Sequence, residues 1–159
     1  MSVVENQASV NNIIVAKFGG TSVADHQAML RCAAIIKNDT RNRLVAVSAS
    51  AGVTNNLVRL SQKNVCDEER ETIIADISRI QYAITEHLAC QQELNIEINV
   101  LLTSLTKCAK QQATQFCLQN ADEILSFGEQ MSSRIFAQVL QSVGVNGVYF
   151  DVRHIMKTD

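Results

Sequence analysis

The sequence lacks several features that would place it in a functional class at once. It contains no proline among its 159 residues, and it has no internal repeat or low-complexity segment. No apolar run approaches the roughly 20 residues that a membrane-spanning helix requires, so we expect no membrane as a partner. The net charge of -2 is not the basic excess typical of general nucleic-acid binders. We therefore expect no nucleic acid as a partner either.

Two features indicate where the protein resides. Residues 1–12 are polar, carry an acidic Glu5 and have no basic stretch before an apolar run. They lack the pattern of a secretory signal peptide, and we predict a flexible N-terminal tail. The five cysteines form no CxxC pair, and an odd number without a framework spacing is typical of free thiols in a reducing cytoplasm. The three histidines do not cluster with the cysteines in sequence, so we predict no metal ligands.

Three apolar segments predict the strands of an α/β domain. Residues 13–18 and 44–48 are separated by a helical pattern, which predicts a parallel, right-handed βαβ unit. Residues 145–150 form the third predicted strand. Because 13–18 is almost continuously apolar, we expect a strand covered on both faces. Three strands against four or five helices make a thin sheet, so the sequence indicates part of a larger domain.

Short polar residues predict where the first helices begin. Ser22 followed by Asp25 resembles a capping box before the first helix. Thr54 or Asn55 can cap the second helix, and Asp67 can cap the third. Each of these side chains can accept a hydrogen bond from a backbone N–H in the first helical turn.

Longer helical patterns fill the middle of the chain. Two of them are joined near 91–95, which favours an antiparallel hairpin. The second carries the stripe Ile98, Leu101, Leu105, Cys108 and Gln112. A further helix is predicted over 123–142, starting at Asp122 and ending at Gly144. Gly128 lies near its middle, so either the helix breaks there or its backbone approaches another segment closely.

The turn after the first strand has the composition of an anion site. Lys17 lies at the strand end, Gly19 and Gly20 form the turn, and Thr21 and Ser22 stand where a helix would begin. Glycines allow backbone N–H groups to approach an anion, and lysine adds a mobile charge. The sequence has neither GxxxxGK[ST] nor GxGxxG, so this is not a Walker-type or Rossmann site. A phosphate ligand and a merely solvated lysine stay open at this point.

Four motifs occur in the order found in one enzyme family. KFGGTSVAD at 17–25 resembles the opening signature of the aspartokinases, within the amino-acid kinase family. SASAGVTNNL at 48–57 is similar to the matching loop of the lysine-sensitive, type III aspartokinases. FGEQMSS at 127–133 resembles the family's GE-x-x-S element, and YFDVR at 149–153 fits the next strand and loop.

The resemblance implies a fold and an activity. The implied fold is an incomplete three-layer α/β/α sandwich of the amino-acid kinase, carbamate kinase-like type. Residues 13–159 would be the N-terminal part of that domain, without its C-terminal half or the regulatory ACT domains. The implied reaction is phosphorylation of the side-chain carboxylate of L-aspartate by ATP, giving 4-phospho-L-aspartate on the route to lysine, threonine and methionine.

The resemblance also implies site residues. Lys17 would be catalytic, neutralising charge on the transferring phosphoryl group. The implied contacts to the ATP phosphates are Lys17, Phe18, Gly19, Gly20 and Ser22. L-Aspartate would contact Thr54 and Glu129, with Glu129 pairing with the α-ammonium group, and more weakly Ser48. Mg²⁺ would bridge the nucleotide phosphates without identifiable ligands in this sequence.

Simpler roles stay open for the same residues. Ser22 and Thr54 can serve only as helix caps, and an isolated Glu129 is commonly a solvated surface residue. Asp151 and Arg153 either line the site or form a surface ion pair.

Two functional alternatives accompany the aspartate kinase hypothesis. One keeps the fold but changes the acidic substrate, for example to glutamate or N-acetylglutamate. The other is a truncated, non-catalytic chain that binds aspartate or pairs with a partner through an open sheet edge. If the family resemblance holds, the isolated piece is expected to be inactive or nearly so, and the full-length protein is expected to form a homodimer through its ACT domains.

Overall fold

A computed structural model describes residues 14–39, 41 and 43–156, so the predicted tail at 1–12 lies outside the described residues. The described residues form two strands, five α-helices and two short 3₁₀ helices. In order they are β1 (Ile14–Phe18), a 3₁₀ turn (Gly20–Val23), α1 (His26–Lys37), β2 (Arg43–Val47), α2 (Val53–Leu60), α3 (Asp67–Thr85), α4 (Gln91–Thr114), α5 (Leu118–Ser142) and a second 3₁₀ turn (Val152–His154).

β1, α1 and β2 form the predicted parallel βαβ unit. The strands are paired in register from Ile14 opposite Arg43 to Phe18 opposite Val47. Because they are parallel, their carboxyl ends lie at the same edge of the sheet. The segments that follow the two strands therefore begin side by side, and they carry the candidate site.

Only one face of this sheet is covered by the described residues. Phe18 packs on the core side against Phe136 of α5, with ring centroids 5.8 Å apart. On the opposite face, Val15 is 65% exposed and Leu44 is 60% exposed. The expectation that the first strand is covered on both faces is therefore wrong for the described residues. The core-forming helices lie on one side of the sheet, and strand side chains alternate between the two sides.

α3 and α4 form the predicted antiparallel hairpin. The Tyr82 hydroxyl donates to the side-chain oxygen of Asn99, and Thr85 Oγ1 lies 2.6 Å from Asn95 Oδ1, so the pairing runs in opposite directions. The connection lies at 86–90 rather than at 91–95, because α4 already begins at Gln91. No helix among the described residues is long and apolar enough to cross a bilayer.

The predicted helix starts are partly wrong. Asp25, not Ser22, caps α1, and its side chain accepts from the backbone N–H of Ala28 at 2.7 Å. Gly52, with φ +85°, precedes α2, so neither Thr54 nor Asn55 is its cap. The left-handed backbone at Gly52 sets the entry of this helix, and side-chain propensity alone does not reveal it.

The next helix starts deviate in the same way. Cys66 precedes α3, and Asp67 is the first helical residue. α5 begins at Leu118, four residues before the predicted Asp122. At the start of α5, the Cys117 sulfur accepts a hydrogen bond from the backbone N–H of Asn120. Gly144, with φ +83°, follows the end of α5 as predicted.

The predicted third strand, 145–150, is not a strand in the structure. A strand requires a hydrogen-bonded neighbour, whereas the backbone here bonds locally: Val145 N donates to Leu140 O at 2.9 Å, and Gly147 N to Val145 O at 2.8 Å. Its apolar side chains at Val148 and Phe150 are exposed. Among the described residues, the sheet therefore has two strands.

Candidate functional site

Lys17 and Ser48 are joined at the carboxyl ends of the two strands. Lys17 Nζ donates to Ser48 Oγ at 2.6 Å, and Ser48 N donates to Phe18 O at 3.0 Å, extending the strand pairing by one residue. Side chains alternate between the two faces of β1, and that of Lys17 lies on the face away from the core, where it is exposed. The lysine is held by a partner at the sheet edge, with a charge that an anion can reach.

Glu129 reaches the same loop from α5. Its Oε1 accepts a hydrogen bond from the backbone N–H of Ala49 at 3.2 Å. Ser48 and Ala49 are consecutive, so one dipeptide contacts both the lysine ammonium group and the glutamate carboxylate. The structure thus brings together three of the sequence-predicted residues, although Glu129 lies about 80 residues along the chain from that loop.

Gly128 makes this approach possible. A Cβ added there would lie 2.5 Å from the Cβ of Ala49 and 3.0 Å from a methyl carbon of Leu57. α5 continues through this position without a break, so of the two predicted alternatives the close backbone approach is confirmed. The absent side chain lets α5 carry Glu129 up to the loop after β2.

The glycine turn packs against that loop as well. A Cβ on Gly20 would lie 2.8 Å from Ala49 O, whereas nothing lies within 4 Å of the equivalent position on Gly19. Ser22 N donates to Gly19 O at 2.9 Å within the 3₁₀ turn. Beneath it, the buried Cys32 thiol donates to Ser22 O at 3.1 Å. The turn is thereby fixed between α1 and the β2–α2 loop.

Two predicted residues occupy less direct positions. Thr54 is exposed in the first turn of α2. Its neighbour Val53 is buried close to Gly128, and a Cβ on Gly128 would lie 3.6 Å from a methyl carbon of Val53. The Phe18 ring is turned into the core, so only the backbone of this residue faces the turn. A phosphate contact by Phe18 would therefore use its backbone.

Asp151 and Arg153 form a two-pronged ion pair with each other. Arg153 Nε and Nη2 donate to the Asp151 carboxylate at 2.9 and 2.6 Å. These hydrogen bonds hold the pKa of Asp151 well below its usual range and raise that of Arg153. Nearby, the Arg134 guanidinium lies 4.0 Å from the ring centroid of Tyr149. Of the two alternatives for this pair, the geometry favours the ion pair.

Sequence reasoning missed Ser50. Its hydroxyl is fully buried and has no hydrogen-bond partner among the described residues. It belongs to the loop that contacts both Lys17 and Glu129, and the hydroxyl-rich composition of that loop was its only signal. A buried hydroxyl without a partner is costly. This loop therefore has a polar group that the described residues leave without a hydrogen bond.

The five cysteines are free. Within the described ranges no three His, Cys, Asp or Glu side chains converge as a metal site would require. His26 and His87 do stack, with ring centroids 4.9 Å apart, a pairing that their 61-residue separation concealed.

The comparisons with known proteins agree with the geometry. The profile of the amino acid kinase family matches residues 12–159. Over 150 residues the chain is 42% identical to the lysine-sensitive aspartokinase 3 of Escherichia coli K12, covering 94% of this chain but 33% of that protein. The chain thus spans about a third of the length of this curated relative.

Two solved structures of E. coli aspartokinase III are also similar. The complex with aspartate and ADP, in the R-state, superposes with a TM-score of 0.87 at 42% identity, over 91% of this chain and 32% of that one. The complex with lysine and aspartate, in the T-state, gives 0.86 at 41% identity, over 92% and 32%. These matches confirm the predicted α/β class, the amino acid kinase fold and the resemblance to lysine-sensitive aspartokinases. With nearly every residue matched to the family profile and the strand, lysine and glycine turn in place, the chain belongs to the amino acid kinase family.

Proposed function

We propose that this chain is the N-terminal portion of an aspartate kinase, which transfers the γ-phosphoryl group of ATP to the side-chain carboxylate of L-aspartate. The observation that carries the proposal is the Ser48–Ala49 dipeptide, which contacts Lys17 at 2.6 Å and Glu129 at 3.2 Å. The dipeptide is thus in contact with a cation for the phosphoryl group and a carboxylate for the α-ammonium group. The similarity to a protein whose structure holds aspartate and ADP supports this substrate pair.

The roles follow from the charges. Phosphoryl transfer depends on positioning and on stabilising charge at the transferring group. Lys17, exposed and tethered by Ser48, supplies positive charge, and on nucleotide binding its bond to Ser48 is exchanged for a phosphate oxygen. Glu129 exchanges its Ala49 N–H partner for the ammonium group of aspartate in the same way. Thr54, exposed in the first turn of α2, and Ser48 complete the aspartate side.

The residues present fit the phosphates of ATP. Gly19 has open space around its α-carbon, and Gly20 approaches Ala49 O so closely that a side chain there would displace the loop. This geometry lets the backbone N–H groups of Gly19 and Gly20 face an anion beside the Lys17 ammonium group, and Ser22, whose N–H already donates to Gly19 O, would contribute its hydroxyl. Mg²⁺ binds ATP phosphates and reduces their charge, and we assign it no ligand among the described residues.

The proposal includes the whole protein of which this chain would be a part. The domain boundary at 13–159, the ACT domains and a homodimer formed through them are carried over from the sequence resemblance. Five free cysteines support residence in the cytoplasm. Because the chain spans a third of its relative's length, we expect the isolated chain to bind ligands more weakly than the longer protein and to turn over little or no ATP.

The substrate is tested with the longer protein. ADP release is measured with L-aspartate, L-glutamate and N-acetylglutamate as acceptors, and the acyl phosphate is trapped with hydroxylamine. We expect ADP and hydroxamate only with aspartate. Turnover of glutamate or N-acetylglutamate, with aspartate inert, would replace the proposal by a kinase for another acidic substrate.

The non-catalytic alternative is tested with the chain itself. Isothermal titration with aspartate and with Mg·ATP separates a simple aspartate binder from an incomplete kinase. We expect weak binding of both ligands, with the ATP signal abolished in Lys17→Ala and retained in Lys37→Ala. Aspartate binding in the chain combined with no ATP-dependent turnover in the longer protein would favour the binding function.

A further inference from the structure

The outer face of α4 carries a regular stripe of exposed side chains. Glu93, Ile96, Val100, Thr103, Lys107 and Lys110 recur at alternating spacings of three and four residues, and all six are exposed. Ile96 is 65% exposed and Val100 60% exposed. This spacing is that of the a and d positions along the seam of a two-helix coiled coil. We call these six residues the α4 stripe; it spans about 26 Å of the helix at 1.5 Å per residue.

The other sides of α4 are already used. Leu94, Ile98 and Leu105 are buried toward α3 and α5, so the helix has a complete core face without the stripe. Isolated exposed apolar residues are ordinary, but Ile96 and Val100 are one turn apart on a single line. Two exposed apolar residues one turn apart, on a helix whose core face is already complete, indicate a second neighbour.

The charges on the stripe are divided by position. The single acid, Glu93, lies at the N-terminal end, and Lys107 and Lys110 lie at the C-terminal end. None of the three has an ion-pair partner among the described residues. A parallel partner helix of the same sequence would align like charges, whereas an antiparallel copy would align opposite ones.

We propose that the α4 stripe is a docking surface for a second copy of this chain, with the two α4 helices antiparallel about a two-fold axis between Val100 and Thr103. In that register Glu93 of each copy lies opposite Lys110 of the other. Ile96 lies against the aliphatic stem of Lys107, and Val100 against Thr103. The surface is isologous, because each contact occurs twice.

The local chemistry of the stripe fits this register. Thr103 Oγ1 donates to Asn99 O at 2.8 Å, so its hydroxyl is satisfied within the helix and its methyl group is left to pack. A hollow of about 340 Å³ is lined by Thr103, Thr106, Lys107 and Lys110. Val100 and Ile96 of the second copy stand opposite Thr103 and Lys107, and therefore over this hollow. Lysine stems commonly cover apolar side chains while their charges remain in water.

The test is a charge exchange followed by sedimentation velocity over a wide concentration range. We expect a reversible monomer–dimer equilibrium for the chain. Glu93→Lys and Lys110→Glu alone each replace two attractive pairs by two repulsive ones, and each should weaken the dimer by about tenfold. Both residues are exposed, and circular dichroism checks that each variant folds.

Restored complementarity distinguishes this register from general charge effects. An equimolar mixture of the two single variants should form a heterodimer, because every end pair is again Lys opposite Glu. The double variant Glu93→Lys/Lys110→Glu should dimerise like the original chain. Asp122→Lys makes the same change in charge as Glu93→Lys, but at an exposed position of α5. It should leave the dimer unchanged.

Several outcomes would overturn the proposal. A chain that stays monomeric at all concentrations excludes the second copy as occupant, and so does a mixture that fails to associate. A dimer that persists unchanged in both single variants uses another surface. If hydroxyl-radical footprinting of the longer protein shows Ile96 and Val100 protected even when that protein is monomeric, the stripe is covered by another part of the same molecule. No arm requires substrate, so failure here is independent of the proposed kinase activity.

Discussion

Gly128 of α5 approaches the loop after β2 so closely that a Cβ on it would lie 2.5 Å from the Cβ of Ala49. The contact is backbone to loop, within a packed core, so neither side can yield cheaply. Ala49 is the residue that such a Cβ would displace, and its backbone N–H donates the hydrogen bond that Glu129 accepts. Stability and the placement of the candidate substrate residue therefore depend on the same missing side chain.

We expect Gly128→Ala to reduce the free energy of unfolding by about 1–3 kcal/mol, the range typical of overpacking. The usual gain in helix propensity from this exchange would be outweighed. Urea denaturation of the chain measures the change. Gly19→Ala is the matched control, since its position is open and its φ is -76°, and we expect it to change stability by less than about 0.5 kcal/mol. Equal stability of the original chain and Gly128→Ala would refute the close-packing argument.

Lys17→Ala in the longer protein should lower kcat by about 10²–10³-fold, the usual loss when one charge stabiliser is removed. The KM for aspartate should change far less, because in the proposed reaction Lys17 acts on the phosphoryl group. Steady-state kinetics with each substrate varied separates the two effects. Lys37→Ala, which removes an exposed lysine at the end of α1, serves as the control. An unaltered kcat in Lys17→Ala would remove Lys17 from the reaction.

Glu129→Ala should act on the other substrate. Loss of the proposed charge-assisted hydrogen bond to the α-ammonium group should raise the KM for aspartate by roughly 10- to 100-fold, while the KM for ATP stays nearly constant. Asp122→Ala, an exposed acidic residue of the same helix, controls for a general change of charge. If the KM for ATP rose and that for aspartate did not, the assignment of Glu129 would be wrong.

Much of this architecture could be predicted from local sequence. The helical pattern between the first two apolar segments and the apolar runs of both strands are strong signals, and the βαβ unit follows from them. Gly128 was informative because a glycine within a helix demands a reason. The order of the four motifs also placed Lys17 and Glu129 in one site, which no periodicity could do.

The errors have a common physical cause. Residues 145–150 have strand composition, but a strand forms only beside a partner, and local hydrogen bonds to Leu140 and Val145 took its place. Val15 is apolar as in a doubly covered strand, yet no described element reaches its face. In both cases the residue types are those of a buried strand, but burial requires a neighbouring element and does not follow from the segment's own sequence. Contacts such as His26 with His87 depend on tertiary packing and leave no sequence pattern.

The stacked His26–His87 pair predicts a pH dependence of stability. The pKa of His26 lies below its ordinary value of 6.5, chiefly because burial disfavours the charged ring, then because of the charge of His87; Asp25 opposes both. The folded state therefore binds this proton less readily than the unfolded state. The stabilisation is complete above about pH 6.5 and is lost as the pH falls through the folded-state pKa.

We accordingly expect the urea midpoint of the original chain to fall more steeply below about pH 6.5 than that of His26→Gln. His154→Gln, which alters a histidine in the second 3₁₀ turn, should retain the slope of the original chain. The difference in pH dependence between the original chain and His26→Gln separates the effect of His26 from that of carboxylates, which titrate at lower pH. Parallel curves for the original chain and His26→Gln would contradict the expected proton linkage.

Gln112 closes the predicted apolar stripe of α4 and is fully buried there. Its Nε2 donates to Ser61 O at 2.8 Å, and its Oε1 accepts from Cys117 N at 3.2 Å. One amide thus satisfies backbone groups at the end of α2 and at the start of α5. A leucine would continue the apolar stripe and fill a similar volume, but it would leave the part-buried Ser61 carbonyl and Cys117 N–H without this hydrogen-bond partner.

Because an unsatisfied buried polar group costs about 1–3 kcal/mol, Gln112→Leu should destabilise the chain despite its added hydrophobicity. Gln111→Leu, at the neighbouring exposed position, should change the free energy of unfolding by less than about 0.5 kcal/mol. Amide hydrogen exchange should locate the loss, with faster exchange at Cys117 in Gln112→Leu only. A more stable Gln112→Leu would mean that burial of apolar surface outweighs the two hydrogen bonds at this junction, and that the amide does not hold α2, α4 and α5 together.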